Sequence, residues 1–430
     1  MKYGSEVTFA FSLALLFVSV LASCQRTSED GIARSKITEP ATDEMRMRVL
    51  RKIATANGIV RASALRIAVD PDRREAGRLI FSSNLMSVNG SISCSSCHLE
   101  KFGSADGLPN AIGVGGKGEG VARMNSGGSI LPRNTLPFWG RGGKGFNTFF
   151  WDGKVASQNG QVISQFGKYA PSSDPLLVAI HLPSVELREM VADTSQIRST
   201  FVSEDVSAAD SIQSALATRF AEDSKIGPKL ANAYKTTRGE ITFAEVADAL
   251  ASFIRDEFRI QPTRLENFVF KDGAISKAEL AGGIVFYGRG KCSSCHNGPY
   301  FSDLKFHAVA MPQAGFGKNG FGIDEGRYNV TQDPADRFLF RTPPLHNVTK
   351  TSPYSHSGSL PRLEDAIIAH FDPLRLAETR KMSIGERANL YARLGPASRE
   401  ILPSALSDTD VRDLVAFLSM LEFDTRSSVQ

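Results

Sequence analysis

The chain has 430 residues, 42% of them hydrophobic and 22% charged, with a formal net charge of +4 and a pI near 8.7. That length supplies two or three domains' worth of core, and the composition is that of a folded chain, not a disordered or collagenous one. The charge excess is too small for a nucleic-acid stripe and fits only loose docking onto an acidic protein surface.

Lys2 and the apolar run from Val7 to Leu21 read as a secretory leader over residues 1–23, too short for a membrane span. The run ends Leu21-Ala22-Ser23-Cys24, the form of a bacterial lipoprotein cleavage box, so Cys24 is the expected lipidation site. Ordinary cleavage nearby would instead leave it a free thiol. Residues 25–45, rich in Ser, Thr, Glu and Arg, look like a flexible tether, and the whole segment 24–59 is expected to be tether ahead of the first domain. The expected location is the periplasm, with a lipid anchor as the membrane contact.

The remainder is an internal duplication. Ala76-Gly77-Arg78-Leu79-Ile80-Phe81 is matched by Ala281-Gly282-Gly283-Ile284-Val285-Phe286, and each precedes a Cys-Ser-Ser-Cys-His. A second pair follows: the amphipathic stretch Glu245–Ile254 is matched by Asp410–Leu418. Thr242 and Ser407, three residues ahead of Glu245 and Asp410, read as helix N-caps in capping boxes. The expected fold is mainly α: two cytochrome c-like haem domains in tandem, residues 60–262 and 270–425, with loop-rich insertions and a linker around Phe268–Ser276.

With Cys24 set aside, the four remaining cysteines form two CxxC pairs, each followed directly by histidine. Two thiols one helical turn apart can bond one porphyrin edge, and the next histidine can ligate the iron from below. Cys94, Cys97 and His98 are therefore expected to hold one covalent haem c, and Cys292, Cys295 and His296 a second. A zinc site shared by four thiolates would leave both histidines unexplained. No histidine lies between His98 and His181, so the first haem has few candidates for a sixth ligand; the second half has four to spare. The run Gly113–Gly120 lacks the strand–turn–helix setting of a phosphate loop and reads as flexible loop.

These residues, with several motifs, resemble the bacterial di-haem cytochrome c peroxidases and the related MauG enzymes from about Ala76 to Leu421. Phe149-Phe150-Trp151-Asp152-Gly153-Lys154 resembles the family's FWDGR stretch, Pro132-Arg133-Asn134-Thr135 its RN motif, and Thr351–Gly358 its TAPYxHxG motif. The resemblance implies that Trp151 relays electrons between the haems. It also implies a calcium ion held by Asn134, Thr351 and Pro353. His370 aligns with the distal ligand of the second haem, which implies a His296/His370 pair. His346 stands where the family has an arginine that contacts a propionate, His356 matches the family's own histidine near the second haem, and His307 is a neighbour of that site.

No histidine stands where the peroxidase branch has its removable distal ligand, which places the chain closer to the MauG-like branch, with an open first haem. Pro183, followed six residues later by Glu189, matches the segment above that open face. Glu189 is the expected proton-transfer residue there, with Glu186 as the second candidate. Ala179 stands where the family has a glutamine; Gln161 is another candidate for that role. His181 could serve as a further acid/base group or cap the iron, though a histidine so placed is more often a packed neighbour.

The function these features imply is a peroxidase that uses hydrogen peroxide to oxidise an external donor, leaning to MauG-like oxidation of a residue, such as Trp, in a partner protein. A cytochrome c peroxidase fed by a small cytochrome or copper protein, and a non-enzymatic di-haem electron carrier, are the alternatives. Nucleic acid is not among the expected partners.

Overall fold

The computed structural model describes residues 42–192, 206–318, 320, 322–399 and 405–423. The leader and Cys24 lie outside the described residues.

From Asp43 the chain runs through α1 (Asp43–Ala56), α2 (Pro71–Ser82) and a one-turn helix at Cys94–Ser96. Loops then carry it to a small antiparallel sheet of β1 (Thr148–Phe149), β2 (Val155–Gln158) and β3 (Gln161–Ser164). α3 (Pro175–His181), α4 (Val206–Glu222), α5 (Ile226–Tyr234) and α6 (Phe243–Glu257) complete the first half. α7 (Arg264–Lys271) and α8 (Lys277–Tyr287) open the second. A turn at Cys292–Ser294, the pair β4 (Phe306–His307) and β5 (Phe340–Arg341), α9 (Leu363–Ala369) and α10 (Asp408–Ser419) follow. The architecture is mainly α, with two tandem haem-type halves.

Local chemistry starts these helices where the sequence says. Asp70 caps α2 by accepting from the amides of Asp72 and Arg73, ahead of a proline at the first helical position. Thr242 with Glu245, and Ser407 with Asp410, form the expected capping boxes on α6 and α10, and Ser276 with Glu279 forms another on α8.

The duplication is visible in how these helices pair. α2 lies on α6, and α8 lies on α10. A Cβ on Gly77 would sit 1.9 Å from the carbonyl oxygen of Ala249 and 2.9 Å from the Cβ of Phe253. A Cβ on Gly282 would sit 1.9 Å from the oxygen of Asp413 and 2.9 Å from the Cβ of Phe417. The repeated Ala-Gly is thus the point where each helix pair touches backbone to backbone, and Phe253 and Phe417 fill equivalent places beside it.

Two expectations about connecting segments need correction. Part of the expected 24–59 tether is α1, whose Leu50 and Ala54 are fully buried in the second core against α8. Its apolar positions were masked by the surrounding charge. The expected linker at Phe268–Ser276 begins inside α7: Leu265 and Phe268 are fully buried, and Arg51 lies over the Phe268 ring at 4.5 Å while donating to its carbonyl. The chain also crosses at its other end, where Phe423 packs edge-on to Trp139 of the first core at 5.0 Å.

Candidate active site

Each Cys-Ser-Ser-Cys-His lies on a single helical turn after α2 or α8, and each opens into its own cavity. The first, about 620 Å³, is lined by Cys94, Cys97 and His98; the second, about 280 Å³, by Cys292, Cys295 and His296. In both, the histidine Nδ1 lies 2.9 Å from a carbonyl oxygen, Ser104 for His98 and Phe301 for His296. A carbonyl only accepts, so Nδ1 carries the proton and Nε2 is left as the metal-binding nitrogen. Burial pushes the His98 imidazole down to about 3 and that of His296 down to about 4, so both are neutral at neutral pH and free to act as ligands.

These donors fit haem. His370, at the end of α9, donates from Nδ1 to the Ala366 carbonyl at 2.7 Å, which frees its Nε2 in turn. Its ring centre lies 6.2 Å from that of His296. His296 and His370, each with its Nε2 left free, would hold a haem iron between them. The four cysteines do not converge on a zinc site. Among the described residues the one grouping of three potential metal ligands is Cys295, Asp303 and His307, and a thioether bond to haem would consume the Cys295 sulfur.

Above the first cavity stands the segment Pro183–Met190, held by its neighbours. The amide of Val114 donates to the Arg188 carbonyl at 3.0 Å, and that of Val88 to the Met190 carbonyl at 3.0 Å. Gly113 approaches so closely that a Cβ would lie 1.8 Å from the Arg188 oxygen. The glycine run read as flexible loop is tied down: buried Arg123 donates to the carbonyls of Ile112, Gly113 and Gly116.

Glu186 and Glu189 both line this cavity, but their surroundings differ. Glu186 pairs with Lys154 at 2.7 Å. Burial raises its pKa, yet Lys154 and Lys318 outweigh that and hold the carboxyl below its ordinary value. Burial pushes Glu189 up to about 7 against the pull of Lys154. Charge counting agrees. Arg133 bridges Asp152 and Asp324 at 2.6 Å each, Lys318 lies 3.4 Å from Asp152, and Lys154 holds Glu186. Three cations are matched by three carboxylates, and Glu189 is the fourth.

Trp151 lines both cavities. Its indole N–H donates to the Asn134 carbonyl at 3.1 Å, and its own carbonyl accepts from the Arg341 amide at 2.8 Å. Asn134, placed by the RN motif, donates to the carbonyls of Leu108 and Pro353 at 2.9 and 3.3 Å; Thr351 lines the same wall.

The other histidines sort by position. His181 does not line the first cavity; it is buried between Phe166 and Phe243 and donates to the Leu177 carbonyl at 2.7 Å. His346 and His356 line the second cavity, with His346 Nδ1 and His356 Nε2 lacking hydrogen-bond partners. Burial pushes His346 down to about 3, so it is neutral where the family's arginine is charged. His307, paired with Asp303 at 2.9 Å, lines the second cavity too. Gln161 is exposed on β3, away from the first cavity, whereas Ala179 lines it. Sequence reasoning missed the part played by Lys154, Lys318, Arg141 and Arg341: Lys154 closes the Phe149–Lys154 motif without a role assigned to it, and the other three were not singled out. Lys318 and Phe316 reach the first cavity from the second half.

Residues 71–274 match the family model described as di-haem cytochrome c peroxidase. The chain is 27% identical to the methylamine utilization protein MauG of Methylorubrum extorquens over 358 residues, 82% of this chain and 78% of that one. It is 26% identical to the cytochrome c551 peroxidase of Nitrosomonas europaea over 301 residues, 69% and 72% of the two chains. Among solved structures, a MauG-like protein associated with microbial copper homeostasis aligns with a TM-score of 0.59 at 22% identity, over 85% of this chain and 92% of that one. The diheme peroxidase BthA of Burkholderia thailandensis aligns with a TM-score of 0.59 at 20% identity, over 85% and 89%.

Proposed function

Because the chain belongs to the di-haem cytochrome c peroxidase and MauG family, we propose that it reduces hydrogen peroxide in the His98 cavity and oxidises a residue of a partner protein, as a MauG-like enzyme. Haem supplies the iron that meets peroxide and the redox capacity that stores its two oxidising equivalents. Cys94, Cys97 and His98 would hold the first haem; Cys292, Cys295, His296 and His370 would hold the second.

The observation that carries this reading is the wall of the first cavity. His98 is the one histidine among the described residues lining it, and Glu189 faces the same space with a pKa near 7. A carboxyl at that pKa can accept a proton from one peroxide oxygen and return it to the other near neutral pH. Lys154 keeps Glu186 ionised, so the two carboxyls divide their roles: Glu186 as fixed charge, Glu189 as proton carrier. Trp151, common to both cavities, would pass electrons between them. Its hydrogen bond to Asn134 holds the ring.

Asn134, Thr351 and Pro353 would hold a calcium ion through neutral oxygens once the Asn134 amide turns its oxygen inward. The Val7–Leu21 run and Cys24 support export and lipid anchoring; no described helix is long and apolar enough to cross a membrane.

The test is turnover of the haem-loaded protein with peroxide, comparing reduced small cytochromes with proteins captured from the native periplasm as donors. Slow oxidation of small cytochromes with peroxide-dependent modification of a partner side chain is the expected result. Fast cytochrome oxidation without such modification would move the protein to the cytochrome c peroxidase branch.

A further inference from the structure

Arg141 and Arg341 break the rule that governs the other buried guanidinium groups of this site. Arg133 has two carboxylates, and Arg123 has three carbonyls. Arg141 and Arg341 are as deeply buried, at 7% and 1% exposure, yet no carboxylate lies within ion-pair distance of either among the described residues. Arg341 donates to the carbonyls of Phe150 and Thr342, and Arg141 lies against the Phe138 ring at 5.2 Å. In both, Nη2 is buried without a hydrogen-bond partner. They also repel one another: burial first, then the charge of Arg341, drives Arg141 well below its ordinary pKa.

Two buried, uncompensated cations are costly, and a folded chain keeps them only where an anion completes the site. Each arginine lines one cavity, Arg141 the first and Arg341 the second. Haem brings two carboxylates on its propionate arms, the chemistry a planar guanidinium recognises. His346, neutral and in the place of the family's cation, leaves the second cavity without another arginine among its described lining residues.

We propose that Arg141 and Arg341 are the propionate anchors of the first and second haem, and that their paired charge raises both reduction potentials. Each Nη2–H donates to a propionate oxygen of the haem in its own cavity. The positive charge favours the reduced iron over the ferric form, since the latter carries one more positive charge. The inference rests on haem occupancy of the two cavities and not on peroxide use, because midpoint potentials are read without peroxide.

The test is a potentiometric titration of the full-length, haem-loaded protein, followed by its absorption bands, with haem per chain determined in parallel. Arg141→Leu is expected to lower the midpoint of the first haem more than that of the second, Arg341→Leu to do the reverse, and each Arg→Lys variant to keep most of the wild-type value. Where a leucine variant does not accumulate, Arg→Gln, which keeps polar atoms without charge, is read in its place with the same expected downward shift. Unchanged midpoints in charge-removing variants that carry two haems would overturn the proposal.

Discussion

Glu186 and Glu189 stand three residues apart and differ in what surrounds them: one has Lys154 at 2.7 Å, the other is the unmatched carboxylate of a buried cluster. That difference is the basis of the roles proposed for them. Below about pH 7 Glu189 keeps its proton and cannot accept another, so peroxide turnover should fall as pH falls through that value. Glu189→Gln should slow turnover by roughly 10²–10⁴-fold and flatten that limb, read by stopped-flow across pH 5.5–8.5. An unchanged profile would pass the role to Glu186. The two Cys-Ser-Ser-Cys-His turns were legible in sequence, since CxxCH is a local motif whose geometry is fixed within one turn. The charges around Glu189 were not. Lys154 meets Glu186 across 32 residues and Lys318 meets Asp152 across 166, so only the folded chain brings them together. His181, near Pro183 in sequence, packs between Phe166 and Phe243 and does not reach the cavity wall.

The helix pairs show how a short repeat becomes architecture. Gly77 on α2 and Gly282 on α8 let the partner helices approach until a Cβ would overlap a backbone carbonyl at 1.9 Å. Gly77→Ala and Gly282→Ala should each cost about 1–3 kcal/mol through overpacking. Gly385→Ala, in an exposed helical turn with nothing within 4 Å of the new Cβ, should be neutral or slightly stabilising. Thermal unfolding of the three haem-loaded variants checks the order, and equal losses would remove the close-approach argument. Capping boxes and the duplicated Ala-Gly were readable because they act over a few residues. The docking of α1 was not, because only Leu50 and Ala54 of its 14 residues are buried and the rest of the helix looks like a solvated tether. The supposed linker at Phe268 failed likewise, since Phe268 is buried in the second core and its carbonyl accepts from Arg51 across 217 residues.

Arg133 ties Asp152 of the first half to Asp324 of the second, Trp151 touches both cavities, and Lys318 carries a second-half charge into the first site. The two cavities are therefore joined by shared residues, and the proposed division between them is a first haem open to peroxide and a second held by His296 and His370. An EPR spectrum of the fully oxidised, haem-loaded protein tests this division directly. One high-spin and one low-spin ferric signal are expected, with the low-spin signal lost in His370→Ala. Two low-spin signals would contradict the account, placing a sixth ligand such as Met86 or Met190, both of which line the first cavity, on the His98 haem.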